Sequence, residues 1–294
     1  MSFIKSINKK EDSILLELYL GEDIQVNNDN ALDNIDKSSN NIRISVLDVE
    51  TTGFDLETNE IIEVAIKTIE CNKNDGSNIT AVKKYESYND PGIDIDPEIT
   101  SLTGISNDMV KDKSINWDDV KEILDSSQLI IAHNARFDRK FIEKYITTNN
   151  IWACSQNDIN WKERGFFKQS LEMLCIWHGF YYGAHRAMND VNATIHLIKH
   201  PSYIENKPLV ELIANAKKPH YKIENKFPYN EEHIKLIKER RYRYNPNNKS
   251  WNITLNDEEK INEEKNWLTD NIYNGTFKGI IIMITVFDKY KDND

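Results

Sequence analysis

Two carboxylates at the end of an apolar segment, Asp48 and Glu50, are the first residues whose spacing suggests chemistry. The segment Ile42–Val49 is rich in β-branched residues, which predicts a buried strand. Side chains alternate faces along a strand, so both carboxylates leave it on the side of Ile44 and Val46. Two buried carboxylates are costly in a core, whereas hard divalent cations prefer oxygen ligands. The pattern therefore indicates a metal site at the end of this strand.

A second acidic motif, His133–Asp138, directly follows the apolar segment Leu129–Ala132, which predicts a short central strand. Asp138 has helical spacing to Phe141 and Ile142, so it lies on the inward face of the helix that the motif opens. The structural alternative is an acidic residue in the first turn of a helix, stabilised by the helix dipole. The two carboxylates of the first motif favour a third metal ligand instead.

The third motif, His185–Asp190, precedes a helix whose buried face contains Val191, Ile195 and Ile198. Asp190 lies at the edge of that face and is the fourth inward carboxylate. Most single histidines have surface or structural roles. A histidine in a loop just before an inward carboxylate is a better candidate for a general base, because an imidazole has an unperturbed pKa near neutrality.

The elements that must position these motifs are strands followed by alternating helices and strands, which indicates an α/β domain with a mixed sheet. The strands after Ile42–Val49 are predicted at Glu60–Ile69, Ile79–Tyr88 and Leu129–Ala132, with a hairpin turn at Asn72–Ser77. Helices are predicted around Trp117–Leu124, Arg136–Ile146, Ser170–Gly179 and Met188–Lys199.

Composition sets limits on the class of protein. The chain has 294 residues, 39% of them hydrophobic, and a net charge of −11, so one large or two ordinary domains are expected without a global basic surface. The three cysteines lack metal or redox spacing and predict free thiols in a reducing compartment. The N-terminus lacks the apolar region of a secretory signal, and the longest apolar run, Ile280–Phe287, is too short to span a bilayer. We therefore expect a cytoplasmic protein without a membrane partner.

Three regions are predicted: an N-terminal segment and linker at residues 1–41, the α/β domain at 42–202, and a small α+β domain at 203–294. The linker assignment rests on Asn27–Asn41, which is rich in Asn, Asp and Ser. In the last region we predict helices at Leu209–Ala216, Asn230–Glu239 and Asp257–Tyr273, the last with Asn256 as N-cap, and strands at Tyr221–Ile223, Arg241–Tyr244, Trp251–Leu255 and Gly279–Phe287.

The three motifs, Asp48–Gly53, His133–Asp138 and His185–Asp190, resemble in type, order and context the exonuclease motifs of the DEDDh (DnaQ-like) family. That family includes the proofreading epsilon subunit of bacterial DNA polymerase III. The resemblance extends over residues from about 42 to 200. It implies an RNase H-like fold, in which helices flank a mixed five-stranded sheet.

The resemblance also implies the roles of the site residues. His185 is similar to the general base, and the metal-binding carboxylates correspond to Asp48, Glu50, Asp138 and Asp190. Two ions, Mg²⁺ or Mn²⁺, roughly 4 Å apart, can bind the attacking water and the leaving 3′-oxygen of a phosphodiester. The implied activity releases nucleoside 5′-monophosphates from a 3′ end.

Further residues match positions at which the family contacts the substrate: Thr51, Thr52, Phe54, Thr103, Ile105, Asn134 and Phe137. Thr103 stands where the family motif usually has a histidine. For Phe54, Ile105 and Phe137, the alternative interpretation is packing in the core.

A basic block near the C-terminus, from Lys217 to Lys249, has ten Lys or Arg residues against four Asp or Glu. Its cations are interleaved with aromatic residues, a pattern suited to a single strand because phosphates pair with cations and bases stack on rings. The alternative is a solvated basic face beside a small core. The candidate nucleic-acid-binding residues are Arg240, Arg241, Tyr242, Arg243, Tyr244 and Trp251. The same region resembles the C-terminal extension of some stand-alone bacterial DnaQ-like exonucleases.

The favoured hypothesis is a metal-dependent 3′→5′ exonuclease that acts on single-stranded DNA ends in proofreading or repair. One alternative is a 3′→5′ exoribonuclease, since the motifs are shared and only a 2′-hydroxyl contact distinguishes the two. The other is a nucleic-acid-binding or polymerase-associated module with incidental turnover. Any coupling to DNA synthesis would require a partner, such as a DNA polymerase subunit.

Overall fold

The computed structural model describes residues 9–10, 13–21, 24, 26 and 40–291, and it divides the chain into two compact units, 1–216 and 217–294. The linker predicted from Asn27 onwards lies almost wholly outside the described residues. Within the described part of the chain, no helix combines the length and the apolar character needed to cross a membrane.

Unit 1 contains the mixed five-stranded sheet that the resemblance implied. The strands of unit 1 are β1 (Lys9–Lys10), β2 (Ser13–Ile14), β3 (Glu17–Leu18), β4 (Asn41–Thr51), β5 (Ile61–Asn72), β6 (Thr80–Tyr88), β7 (Leu129–Ala132), β8 (Ile151–Cys154) and β9 (Phe180–Tyr181). Two further two-stranded sheets, β1-β2 and β3-β9, accompany the main sheet. The order in the main sheet is β6-β5-β4-β7-β8. The first three of these strands pair antiparallel and the last three parallel.

The helices of unit 1 cover the sheet and confirm the predicted α/β architecture. They are α1 (Pro97–Thr103), α2 (Asn107–Val110), α3 (Trp117–Asp125), α4 (Ala135–Ile142), α5 (Leu171–Trp177), α6 (Ala187–Ile198) and α7 (Pro208–Ala216). Helix α7 was predicted to belong to the C-terminal region, but in the structure it is part of unit 1. Its residues Leu209, Leu212 and Ile213 are buried in the same core cluster as Val46 of the sheet.

The central strand β4 explains why the first motif is held rigidly. From Ile42 to Leu47 every residue is buried, as expected for a strand with both faces covered. Exposure increases only at Asp48 and Glu50, where the strand reaches the edge of the core. Neighbouring β7 ends at Ala132 and leads directly into the second motif, so two acidic motifs meet at the same edge of the sheet.

The N-terminal segment packs on unit 1 beside the third motif. Strand β3 pairs in parallel with β9, through hydrogen bonds from Glu17 N to Gly179 O (3.0 Å) and from Tyr19 N to Tyr181 O (2.8 Å). Tyr19 also stacks on His196 of α6, with ring centroids 4.2 Å apart. The segment therefore supports the strand that precedes the loop carrying the candidate base.

Unit 2 is a small α+β unit, as the sequence predicted. Its elements are β10 (His220–Asn225), α8 (Glu231–Glu239), β11 (Arg243–Asn245), β12 (Ser250–Leu255), α9 (Glu258–Asn271) and β13 (Ile280–Ile284). The sheet has the order β11-β12-β10-β13 and is antiparallel throughout. The N-cap of α9 is Asp257, whose side chain accepts from Glu259 N, so the prediction of Asn256 as the cap was wrong by one residue.

Candidate active site

Three of the four predicted carboxylates converge in a half-buried cluster. One oxygen each of Asp48, Glu50 and Asp190 lies within 4.8 Å of the others. Asp48 and Glu50 come from the end of β4, and Asp190 comes from the first turn of α6. The donor set is composed entirely of carboxylate oxygens, which is the chemistry that Mg²⁺ and Mn²⁺ select.

The fourth carboxylate, Asp138, is buried beside this cluster. It lies in the first turn of α4, whose N-cap residue, Asn134, has a left-handed conformation (φ 70°). Its Oδ1 accepts a hydrogen bond from Val49 N on β4, at 3.2 Å. This contact holds α4 against β4 at Val49, which lies between Asp48 and Glu50.

Burial raises the pKa values of all four carboxylates, and repulsion between them adds to the shift for three of them. Desolvation, followed by the charges of Asp190 and Asp138, raises the pKa of Asp48 well above its usual range. Desolvation is also the main reason why the pKa of Glu50 rises to about 8 and that of Asp190 to about 6. The pKa of Asp138 is raised well above its usual range, again mainly by desolvation. Negative charge is thus concentrated where it is unfavourable without a cation.

This electrostatic strain predicts how the stability of the metal-free protein depends on pH. A carboxyl group in an unfolded chain has a pKa near 4, whereas Glu50 has a pKa of about 8 when folded. Between these values the folded state binds more protons, so its stability falls as the pH rises from about 4 to about 8. In EDTA at pH 8, Glu50→Gln is therefore expected to raise the Tm by several degrees, since about 1 kcal/mol shifts the Tm by roughly 2–4 °C.

Calorimetry at pH 8 and pH 6 would check this expectation. The Tm difference between Glu50→Gln and the wild type should narrow at pH 6, where Glu50 of the folded wild type is protonated. Added Mn²⁺ at pH 8 should raise the Tm of the wild type more than that of the variant. A Tm difference that is independent of both pH and metal would contradict the assigned role of Glu50.

The candidate base, His185, lies in the loop between β9 and α6 and has a left-handed backbone (φ 62°). A non-glycine residue in this region stores strain, which occurs preferentially at functional sites. The loop is held by two contacts to Asp190: the hydroxyl of Tyr182 donates to Oδ1 at 2.7 Å, and Arg186 N donates to Oδ2 at 3.2 Å. The charge of His185 in turn lowers the pKa of Asp190, so the two groups lie within electrostatic reach.

Two residues that the sequence analysis missed, Glu63 and Arg186, support the third motif. Glu63 is the cross-strand neighbour of Glu50, and its carboxylate forms an ion pair with Arg186 at 2.9 Å. The same carboxylate accepts from Ala187 N at 2.9 Å, at the start of α6. The available signal was a charged residue inside the apolar run Ile61–Ile66, because a buried charge requires a partner.

Glu63→Gln is expected to lower kcat by about tenfold with little change in KM, because the start of α6 loses an ion pair that positions His185 and Asp190. Steady-state kinetics on a single-stranded oligonucleotide would measure both constants. The matched control is Glu70→Gln, which breaks the ion pair of Glu70 with Arg43 (2.6 Å) further along the same strand. Equal losses of kcat in the two variants would indicate a general loss of stability.

The predicted substrate residues near the first and second motifs include one exposed ring, Phe54, and two threonines that hold the loop after β4. Phe54 is 79% exposed, and its ring lies 6.0 Å from that of Phe137 in an edge-on arrangement. The Thr51 hydroxyl donates to Gly53 O, and that of Thr52 donates to Asn59, so both side chains shape the loop after β4. Core packing does not explain a phenyl ring that is so exposed. The exposure of Phe54 therefore favours a contact with the substrate over packing in the core.

Two of the predicted substrate contacts are wrong. Ile105 is fully buried with Ile62, Ile95 and Val110, so it packs in the core. Thr103 is also buried; its hydroxyl donates to Ile99 O and accepts from Ile105 N at the end of α1. Thr103 thus serves the turn that ends the helix.

The candidate nucleic-acid-binding residues of unit 2 differ in burial and in ion pairing. Tyr242 is buried in the core of the unit, so the prediction that its ring stacks on bases is wrong. Arg240 forms a bidentate ion pair with Glu264 and packs over Trp267. The remaining four residues, Arg241, Arg243, Tyr244 and Trp251, retain at least partial exposure.

Comparisons with known proteins identify the family of this chain. The model of the exonuclease family (RNase T) matches residues 45–198. The epsilon subunit of DNA polymerase III from Aquifex aeolicus is 31% identical over 158 residues, which cover 51% of this chain and 75% of the relative. A PolC-type DNA polymerase III from Thermotoga petrophila is 32% identical over 133 residues, which cover 45% of this chain. The chain spans only 9% of the length of that polymerase.

Among solved structures, the zinc-bound complex of E. coli ExoI with single-stranded DNA is similar at 20% identity and a TM-score of 0.46, over 62% of this chain and 48% of that one. The family match extends over more than half of the chain and includes all three acidic motifs. The chain therefore belongs to the exonuclease family.

Proposed function

We propose that this protein is a metal-dependent 3′→5′ exonuclease that releases nucleoside 5′-monophosphates from single-stranded ends. The observation that carries this proposal is the convergence of Asp48, Glu50 and Asp190, with Asp138 buried beside them. A structural role alone does not account for four carboxylates with raised pKa values at one edge of a sheet. The 3′→5′ direction follows from the resemblance of the motifs.

The residues fit divalent cations. Asp48, Glu50 and Asp190 offer oxygens close enough to share ions, and Asp138 adds a fourth carboxylate. Two ions, Mg²⁺ or Mn²⁺, would lower the pKa of a water and stabilise charge on the leaving oxygen. Bound cations would offset the cost of burying these negative charges close together, which favours binding of cations.

The chain's own residues perform the remaining steps. His185 accepts a proton from the attacking water as a general base. Tyr182 and the backbone of Arg186 fix the orientation of Asp190, while Glu63 holds the start of α6. The exposed ring of Phe54 offers a surface for stacking of the terminal base, and Asn134 lies at the exposed start of α4.

We infer that DNA is favoured over RNA as the substrate, because the epsilon and PolC-type relatives are named as parts of DNA polymerases. For the same reason a polymerase subunit is a candidate partner. An exoribonuclease remains the second hypothesis, since the exonuclease family match itself does not specify the sugar.

The test uses two 5′-labelled single strands of about 20 nucleotides, one DNA and one RNA of matching sequence, with Mg²⁺ or Mn²⁺. We expect a ladder that shortens from the 3′ end, needs the added metal, and forms faster on DNA. A faster ladder on RNA would select the exoribonuclease hypothesis. Folded, metal-binding protein that leaves both strands intact would refute the proposed function.

A further inference from the structure

We infer that unit 2 contains a second binding site, separate from the carboxylate cluster, for single-stranded nucleic acid. The site consists of the β11–β12 hairpin and the adjacent end of α8. Its ring surface, which we call the aromatic platform, is formed by Tyr244 and Trp251. This inference deepens the proposed function, because it assigns the same class of substrate a further contact on the chain.

The aromatic platform is a pair of neighbouring rings at the edge of the sheet. Tyr244 and Trp251 are cross-strand partners in β11 and β12, with ring centroids 5.2 Å apart. The inner side of Trp251 packs against the core of the unit, whereas Tyr244 is 50% exposed on the edge strand. An exposed aromatic ring supported by a second ring is a surface on which a base can stack.

Four cations lie in or next to the hairpin that carries the aromatic platform. The Nζ of Lys238, at the end of α8, lies 5.8 Å from the centre of the Trp251 ring. Arg241 and Arg243 are exposed beside Tyr244, and Lys249 is exposed in the hairpin turn. Within residues 40–291, Arg241, Arg243 and Lys249 form no ion pair with a carboxylate. Arg240 nearby is instead neutralised by Glu264. The three exposed cations are thus available for phosphates.

The local charge selects a polyanion as the occupant. The chain as a whole carries a net charge of −11, yet residues 238–256, which contain the proposed site, have five Lys or Arg residues and one acidic residue, Glu239. A base-stacking surface within a segment of net positive charge is complementary to a single strand, whose bases are accessible. A duplex hides its base faces, so the same surface should discriminate against it.

The alternation of side chains along β11 determines which residues can contact the same nucleotide. Successive residues of a strand point to opposite faces, so Arg243 and Tyr244 cannot both contact the same side of the sheet. Arg243 is opposite Asn252, and Tyr244 is opposite Trp251. The bases would therefore contact Tyr244 and Trp251 together with Lys238, and Arg243 would reach phosphates from the other side of the edge.

The experiment measures binding of fluorescent dT20 by anisotropy with the full chain in EDTA, so that hydrolysis does not interfere. Tyr244→Ala is expected to weaken binding by about tenfold, because one stacked base is lost. In Arg241→Gln/Arg243→Gln, the slope of log Kd against log salt should fall by about 0.7 per cation removed. Tyr229→Ala, which removes another exposed tyrosine of unit 2, should bind like the wild type.

Failure of this inference and failure of the proposed exonuclease function would give different experimental results. Equal Kd values for Tyr244→Ala and Tyr229→Ala would overturn the inference even if the protein degrades DNA. Equal Kd values of the wild type for dT20 and for a duplex of the same length would also overturn it. Weaker binding by Tyr244→Ala would support the second site even if no hydrolysis were observed in the ladder assay.

Discussion

Replacing Asp48 by asparagine is expected to lower the rate of hydrolysis by about a thousandfold or more. Burial, followed by the charges of Asp190, Asp138 and Glu50, raises the pKa of Asp48 well above its usual range. Asparagine keeps the size of the side chain but removes the negative charge that would bind cations. A loss of about 4 kcal/mol in the stabilisation of the transition state corresponds to a factor of ~10³ in rate.

The measurement is the initial rate on a labelled single strand at saturating Mn²⁺, together with calorimetric titration of Mn²⁺. The variant should bind the metal more weakly and remain folded, because the repulsion within the cluster decreases. Asp75→Asn, in the exposed hairpin turn after β5, is the matched control and should keep the rate of the wild type. Hydrolysis by Asp48→Asn at even a tenth of the wild-type rate would contradict the metal site.

The carboxylates could be predicted from sequence because each motif is local to the end of one element. Asp48 and Glu50 lie at the end of a buried strand, and Asp138 and Asp190 each lie in the first turn of a helix with an apolar face. The period of the apolar residues then determines which way each carboxylate points. No long-range information is needed for this step, apart from the order of the motifs.

The supporting residues could not be predicted in this way. Glu63 meets Glu50 only because β4 and β5 pair in one register, and Arg186 reaches Glu63 only through the loop that precedes α6. Such contacts depend on how elements pair, which the spacing of residues along the chain does not reveal. The four-residue strand β8 was also missed, because Ile151–Cys154 lacks the aliphatic run that marks the equally short β7.

The buried Tyr242 shows where a local pattern misleads. The alternation of cations and aromatic residues suggested that Tyr242 and Tyr244 act together. Arg241 instead has a left-handed conformation (φ 69°), and β11 begins only at Arg243. The chain therefore turns before the strand, and the ring of Tyr242 enters the core with Ile237 and Leu268.

The second large effect is expected at His185. Replacement by glycine removes the imidazole and fits the left-handed backbone at this position, so the fold should be retained. The loss of a general base predicts a decrease in kcat by about 10²–10⁴-fold. The positions of Asp190 and the cations should change little, because Tyr182 and Arg186 N still bind Asp190. We therefore expect affinity for Mn²⁺ close to that of the wild type.

Chemical rescue distinguishes a base from a purely structural residue. Imidazole added to His185→Gly should restore part of the lost rate, in proportion to its concentration, because it can occupy the vacated space and accept the proton. The control, His233→Gly in unit 2, should show neither a loss nor a response to imidazole. If His185→Gly kept the activity of the wild type, or lost it together with Mn²⁺ binding and did not respond to imidazole, the loop would serve to position Asp190, and another group would have to accept the proton.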